Sequence, residues 1–475
     1  MKLSFKTYQF IKSTIWLFFA CYAYYCFLEL EKTSLKICLI LSIPIIRLSI
    51  IDFFDKYYKA GYPTLLAWFK LATFTTLMVP FLIMLPSFDT SQTTLVFETN
   101  QISNTYVLDS ILIILIGLLA VAFAETMLKF RKSKKREDLG IHYKLKNYNL
   151  FFIASITVLI LNIALVISNT TGFGSEGVNL NASFVVQIIN ILSNVFLTTI
   201  AYFKFFRIHT NKNINTLLYC YIGLSLGLGF LSGMKENVIV PIILVLIPYF
   251  SAGNKPKVKQ LVIPVFILLF LYPLNNNYRE ALKDFPVKTV AFYAAINKTF
   301  SSEIFTEEEA DYSLSERYQG FSPLLYGASI EGQWHTYKYL NRYIYLPVAW
   351  FAPRFVLPNK PTSTTGTELY KLMREIDFTD VSITPTTYGW SYLEGGYIPL
   401  FISFFLYAIV LCFIELIYPL DNLKGFVIYG VLVIGMIKIE SDIYFRINAI
   451  FQTIFVISVF FKFFLNKYKV IKTND

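Results

Sequence analysis

A chain of 475 residues that is 55% hydrophobic and only 15% charged, with a mean hydropathy of +0.54, does not have the composition of a water-soluble domain. Its formal charge of +11 would fit a nucleic-acid binder if the chain were soluble, but the basic residues gather in short stretches between long apolar runs, so no nucleic-acid partner is expected. All five cysteines, Cys21, Cys26, Cys38, Cys220 and Cys412, fall inside apolar runs, which argues against a disulfide framework or a zinc site.

The first apolar run, Ile11–Leu28, follows a basic start in the manner of a signal peptide. It is long and bulky and lacks a small-residue cleavage site, so it is read as a retained helix. Crossing hydrocarbon takes roughly 20 apolar residues, because the backbone there must satisfy its own hydrogen bonds. Further runs of this kind lie at 36–54, 64–86, 108–128, 148–168, 184–206, 216–233, 236–252, 260–274, 397–417, 424–439 and 447–465, which predicts twelve spans. The stretch Lys129–Lys146 (KFRKSKKREDLGIHYKLK) is the strongest cytoplasmic marker, since Lys and Arg stay on the side from which helices insert. Counting outward from it puts Lys204, Arg207 and Lys212, then Lys255, Lys257 and Lys259, then Lys424 and the C-terminal lysines on the same side, with both termini. The opposing stretches Pro86–Ser110 and Asn169–Ser183 carry no Lys or Arg. The expectation is an all-α polytopic membrane protein, N-in and C-in, in three parts. These are nine helices over 1–274, a large extracytoplasmic loop over 275–396, and three helices with a cytoplasmic tail over 397–475. Arg47 in the second span is read as snorkelling or paired, and the spans otherwise read as nearly free of charge.

Candidate chemistry concentrates beyond the eighth-helix hairpin. SGMKENVIVP places Lys235 and Glu236 at the start of a returning helix, whose N-terminal donors favour an anion. The same lysine would equally snorkel to headgroups or pair with Glu236. NNNYREALKDFP sets Arg279 at headgroup level. SERYQGFSPLLYGASIEGQWHTYKYLNRY then carries Arg317, Glu331, His335 and Arg342. In AWFAPRFVLPNKPTSTTGTELY, Pro353, Pro358 and Pro361 stiffen the backbone around Arg354 and Lys360, and preorganised cations suit a pyrophosphate. PTTYGWSYLEGGYIP offers Tyr388, Trp390, Tyr392 and Glu394, either as sugar-stacking rings beside a carboxylate or as an interfacial aromatic belt. In KIESDIYFRIN, Asp442 and Arg446 are spaced for a structural i,i+4 ion pair. His142 and His209 fall on the cytoplasmic side. No GxxxxGK[ST], HExxH, DxD or GxSxG string is present, so a nucleotide substrate is not expected.

In topology over nearly the whole chain, and in SGMKENVIVP, NYRE, PRFVLPNKP and the Tyr388–Gly396 segment, the sequence resembles the O-antigen polymerase (Wzy-type), or oligosaccharide repeat unit polymerase, family. PRFVLPNKP is the most specific of these strings; where this chain has Lys235 the family often has Arg. The resemblance implies a GT-C-like architecture in a bacterial inner membrane. It also implies transfer of a growing glycan from polyprenyl pyrophosphate onto the non-reducing sugar of a lipid-linked repeat unit. Lys235, Arg279 and Arg354, with Arg317 and Lys360 behind them, would stabilise the leaving pyrophosphate, and Tyr388 and Tyr392 would bind sugar. Glu394, Glu331 or His335 would take the acceptor proton. No metal or cofactor is implied. The implied partners are lipid-linked oligosaccharides, membrane lipids, and a chain-length regulator and a flippase of the same pathway. An O-antigen ligase would share the donor and architecture. A lipid-linked glycan transporter would instead bury functional charges within its spans.

Overall fold

The computed structural model of the chain describes residues 4–88, 104–129, 141–168, 180–208, 212–232, 235–254, 277–282, 284, 285, 287–301, 321–330, 338–349, 384–420 and 422–469, with Leu274, Ala352, Leu357, Gly366 and Leu369. Long apolar runs coil because a helix is the one open-ended element that pairs its whole backbone internally. The helices are α1 Phe5–Glu29, α2 Thr33–Ala60 with a π turn at Arg47–Ile51, α3 Leu65–Met84, α4 Asn104–Lys129, α5 Tyr148–Ile167, α6 Leu180–Phe205 and α7 Lys212–Leu231. They continue with α8 Lys235–Ser251, α9 Lys288–Ser301, α10 Phe321–Ser329, α11 Thr386–Leu393, α12 Tyr397–Ile417, α13 Leu423–Ile437 and α14 Ile443–Phe464. Among the described residues nine helices, α1 to α7, α12 and α14, are long and apolar enough to cross a membrane. The predicted eighth and eleventh spans form as the shorter apolar helices α8 and α13, and all of the predicted 260–274 span but Leu274 lies outside the described residues. The chain is thus an all-α, membrane-embedded helix bundle.

Local chemistry sets the helix starts. Side chains of Ser4, Thr64, Asn147, Asn422 and Asp442 accept the first free amides of α1, α3, α5, α13 and α14. Lipid offers apolar surfaces no drive to leave it, so close backbone approach and polar contacts hold such helices together. The tight α7–α8 hairpin shows this, because a Cβ at Gly229 would lie 2.4 Å from the Asn237 carbonyl oxygen. Helices α4 and α12 run parallel through the centre, tied near their starts by Tyr397 Oη to Asp109 Oδ1 at 3.2 Å.

Three features depart from the sequence reading. First, part of the expected loop 275–396 enters the bundle. Helix α10 packs against α4 and the π segment Phe74–Met78 of α3, with Phe321 and Phe81 centroids 5.1 Å apart, and every residue of α11 is buried. FSPLLYGAS and TTYGWSYL are too short to read as spans, but they are apolar enough to fill the space between longer helices. Second, Ile141–Leu145 (β1), read as part of a charged loop, pairs antiparallel with Leu465–Lys469 (β2), Tyr143 opposite Lys467. Third, the spans are not nearly free of charge. Lys70, 1% exposed, meets Asp52 at 2.8 Å and Glu125 at 2.6 Å, and Lys56 meets the same two carboxylates. Two cations and two anions close a neutral square that joins α2, α3 and α4. Beside it Asp55 accepts from Tyr8 at 2.5 Å and pairs with Arg47 at 3.1 Å.

Candidate functional site

The turn between α13 and α14 is clamped onto the start of α11. The Thr387 hydroxyl donates to the carbonyls of Ile439 (2.8 Å) and Ser441 (2.7 Å), the Thr387 amide donates to Ile439 as well, and Thr384 Oγ1 donates to Glu440 O. Thr386, between them, holds φ at 69°, a conformation that a β-branched residue adopts only under constraint. At the other end of α11, Gly395 and Gly396 (φ 136° and 85°) reverse the chain into α12 and leave Glu394 at the corner. The corner and the clamped turn therefore bring Glu394 and Asp442 to the same end of the bundle.

Between these two carboxylates lies Arg342, from the 3₁₀ segment Lys338–Tyr345. One of its terminal nitrogens pairs with Glu394 Oε1 and the other with Asp442 Oδ2, and all three residues are no more than 4% exposed. The guanidinium lies 5.7 Å from the Tyr444 ring, which supplies a further attractive face. Tyr343, next in sequence, donates to Ser403 Oγ at 3.1 Å, and burial followed by the Asp442 charge holds its phenol above the usual range. Charges buried at this depth persist only when paired. Glu394 Oε2 nevertheless has no hydrogen-bond donor among the described residues.

Arg446 is the fourth charge. The i,i+4 pair expected with Asp442 does not form, because Asp442 caps α14 through Tyr444 N at 2.6 Å and spends its other oxygen on Arg342. Arg446 turns into the bundle instead. It donates to the carbonyls of Ser441 (3.0 Å) and Gly435 (3.1 Å) and to Tyr407 Oη (3.3 Å), with Phe69 and Tyr407 rings 5.5 and 6.0 Å from its guanidinium carbon. Its Nη2 has no partner among the described residues. The network as a whole is neutral, yet Arg342 holds both carboxylates while Arg446 holds only neutral acceptors. A carboxylate oxygen and a guanidinium nitrogen, both buried and both without a hydrogen-bond partner among the described residues, have the chemistry to accept a proton and to steady an anion.

The predicted site residues collect in two places. Glu394 belongs to the charge network. Tyr388 and Tyr392 stand on the same helix but are buried. Tyr388 stacks on Phe69, lies against Phe404 and shares a 3.0 Å hydrogen bond with Thr73, so no face is open to a sugar in this conformation; Tyr392 sets its edge on Tyr397. Arg279 lies elsewhere, on a short segment docked on the α7–α8 hairpin by Tyr278, whose hydroxyl donates to Leu231 O at 2.9 Å. Lys235 opens α8 in that hairpin. Arg279 is half-buried, and that burial lowers its pKa from the usual arginine value. Arg317, Glu331, His335, Arg354 and Lys360 lie outside the described residues. Sequence reasoning missed the bridging role of Arg342 and the turn of Arg446 into the bundle. The density of charge in KIESDIYFRIN was the one local signal, and it pointed to the wrong pair.

No protein-family model matches the chain, and neither a curated protein nor a solved structure does so.

Proposed function

We propose that the protein is a membrane glycosyltransferase that joins polyprenyl-pyrophosphate-linked oligosaccharide repeat units into a surface polysaccharide at the outer face of a bacterial inner membrane. The observation that carries this reading is Glu394, a buried carboxylate held by Arg342, whose second oxygen has no hydrogen-bond donor among the described residues. In the proposed step the acceptor hydroxyl gives its proton to Glu394 as its oxygen bonds to the anomeric carbon. The bond from that carbon to the pyrophosphate oxygen breaks, and the electron pair leaves with the lipid pyrophosphate. Lys235, Arg279 and Arg354, with Arg317 and Lys360, would neutralise that leaving group, while Glu331 and His335 are the other candidate bases. Arg342 and Asp442 act as positioning residues. The proposed orientation keeps twelve spans, with both termini cytoplasmic and the Glu394 end outside. It is supported by the pairing of β1 with β2, which brings the segment after α4 and the segment after α14 to one end.

A second reading, transport of lipid-linked glycans, draws support from the charges that α2, α3 and α4 bury inside their spans. Deleting the gene in its native host and complementing it with wild type, Glu394→Gln or Arg354→Ala at matched expression separates the readings. A polymerase leaves single repeat units on the acceptor, and each substitution slows polymer growth about 10²–10³-fold. Long polymer accumulating on polyprenyl pyrophosphate would replace this reading with a ligase. Unpolymerised units retained on the cytoplasmic leaflet would replace it with a transporter.

A further inference from the structure

At the end of the bundle opposite Glu394, a cavity of ≈ 20 Å³ is lined by Glu415, Tyr62, Tyr418, Tyr429 and Leu65. A space of that size holds one water-sized group. Glu415 stands in the last turn of α12, where one oxygen accepts the Leu65 amide at 2.5 Å, and its carboxylate has no cation at ion-pair distance among the described residues. Lys56, whose charge acts on Glu415, makes its ion pairs with Asp52 and Glu125. The aromatic wall is held in place. Tyr429 Oη donates to Pro63 O at 2.5 Å and accepts from Trp68 Nε1 at 2.8 Å, and the Tyr62 ring meets it edge-on at 6.3 Å. A carboxylate facing tyrosine rings in a small cavity is complementary to an ammonium group. Next to it the Lys424 ammonium sits 5.2 Å from the centre of the Tyr418 ring, with Lys467 near enough to act on its charge.

We propose that this is a binding site for the phosphoethanolamine headgroup of a bilayer lipid, the primary ammonium entering the Glu415 cavity and the phosphate meeting Lys424 and Lys467. The lining residues come from the ends of α12, α13 and α3 and the turn before α3, which is headgroup depth for a membrane-embedded bundle. An interfacial belt accounts for tyrosines and lysines there, and the Leu65 amide occupies one oxygen of Glu415, which leaves its second oxygen for the ammonium. A primary ammonium has N–H groups to donate to Glu415, whereas a trimethylammonium has none, and that difference selects between the two headgroups.

The test reconstitutes the full-length protein in nanodiscs of equal parts phosphatidylethanolamine and phosphatidylcholine and counts retained lipid by native mass spectrometry. The wild type is expected to retain phosphatidylethanolamine selectively. Glu415→Gln should cut the ethanolamine-to-choline ratio about tenfold, the loss of one charge-assisted hydrogen bond. Lys424→Gln should weaken retention of both lipids alike, since both carry the phosphate. Should Glu415→Gln fail to run monodisperse, because it also caps α3, Tyr62→Leu, from the turn before α3, carries the same expectation. Retention in proportion to the bilayer, or a ratio unchanged by the cavity substitutions, would overturn the proposal. So would quantitative displacement of the lipid by water-soluble phosphoethanolamine, which would make the occupant a free solute.

Discussion

Replacing Arg342 by methionine keeps an unbranched apolar stem and removes the cation that Glu394 and Asp442 share. The two carboxylates, 1% and 4% exposed, would then face each other without compensation, and Glu394 Oε2 already lacks a donor. Breaking a buried pair by removing one partner costs about 3–5 kcal/mol. Against a total stability typically of about 5–15 kcal/mol, that is a large share. Removing all three charges together, as Arg342→Met with Glu394→Gln and Asp442→Asn, should recover most of the loss. A buried ion network is worth little more than a neutral group of the same shape, and an asparagine at 442 can still cap α14. Reversible unfolding in mixed micelles, followed by tryptophan fluorescence, measures both changes. Trp390 reports directly, since it lies on α11 and donates to Thr384 at 3.0 Å. A single variant within about 1 kcal/mol of wild type, or a triple variant less stable than the single, would refute the argument that uncompensated charge sets the cost.

Other expectations follow from packing and pairing. A Cβ at Gly117 would lie 2.6 Å from Tyr388 Cε1, so Gly117→Ala should destabilise the bundle by about 1–3 kcal/mol in the same unfolding assay, and no change would mean that α11 is not seated against α4. Lys70→Met should cost about 3–5 kcal/mol, because it leaves Lys56 alone to balance both Asp52 and Glu125 and so buries an uncompensated negative charge. Lys298→Ala breaks the exposed pair with Glu280 and should cost less than about 1 kcal/mol, so a similar cost for both would remove burial as the cause. With the five native cysteines replaced by serine, Tyr143→Cys with Lys467→Cys should cross-link under mild oxidation. These are register partners of β1 and β2, and Tyr143→Cys with Lys469→Cys should cross-link more slowly.

The sequence by itself determined where the long helices of the described residues lie. An apolar run in hydrocarbon has to satisfy its backbone internally, and Thr64, Asn422 and Asp442 cap the helices that begin one residue later. It also placed chemistry-bearing residues at Glu394 and in KIESDIYFRIN, since carboxylates and arginines between apolar runs stand out. The tertiary structure alone decided their partners. Asp442 and Arg446 have helical spacing, but the cap turns Asp442 back toward the amide of Tyr444, and Arg342 from a distant segment takes its remaining oxygen. Lys70, Glu125 and Asp52 each look like an isolated exception within a span and Lys56 lies just beyond one, and only the crossing of α2, α3 and α4 makes them one neutral cluster. Short segments such as TTYGWSYL read as loop because length is the sequence's measure of a buried helix. Packing between longer helices removes that requirement, since the neighbours exclude water and lipid and the short helix has only to fill the space they leave.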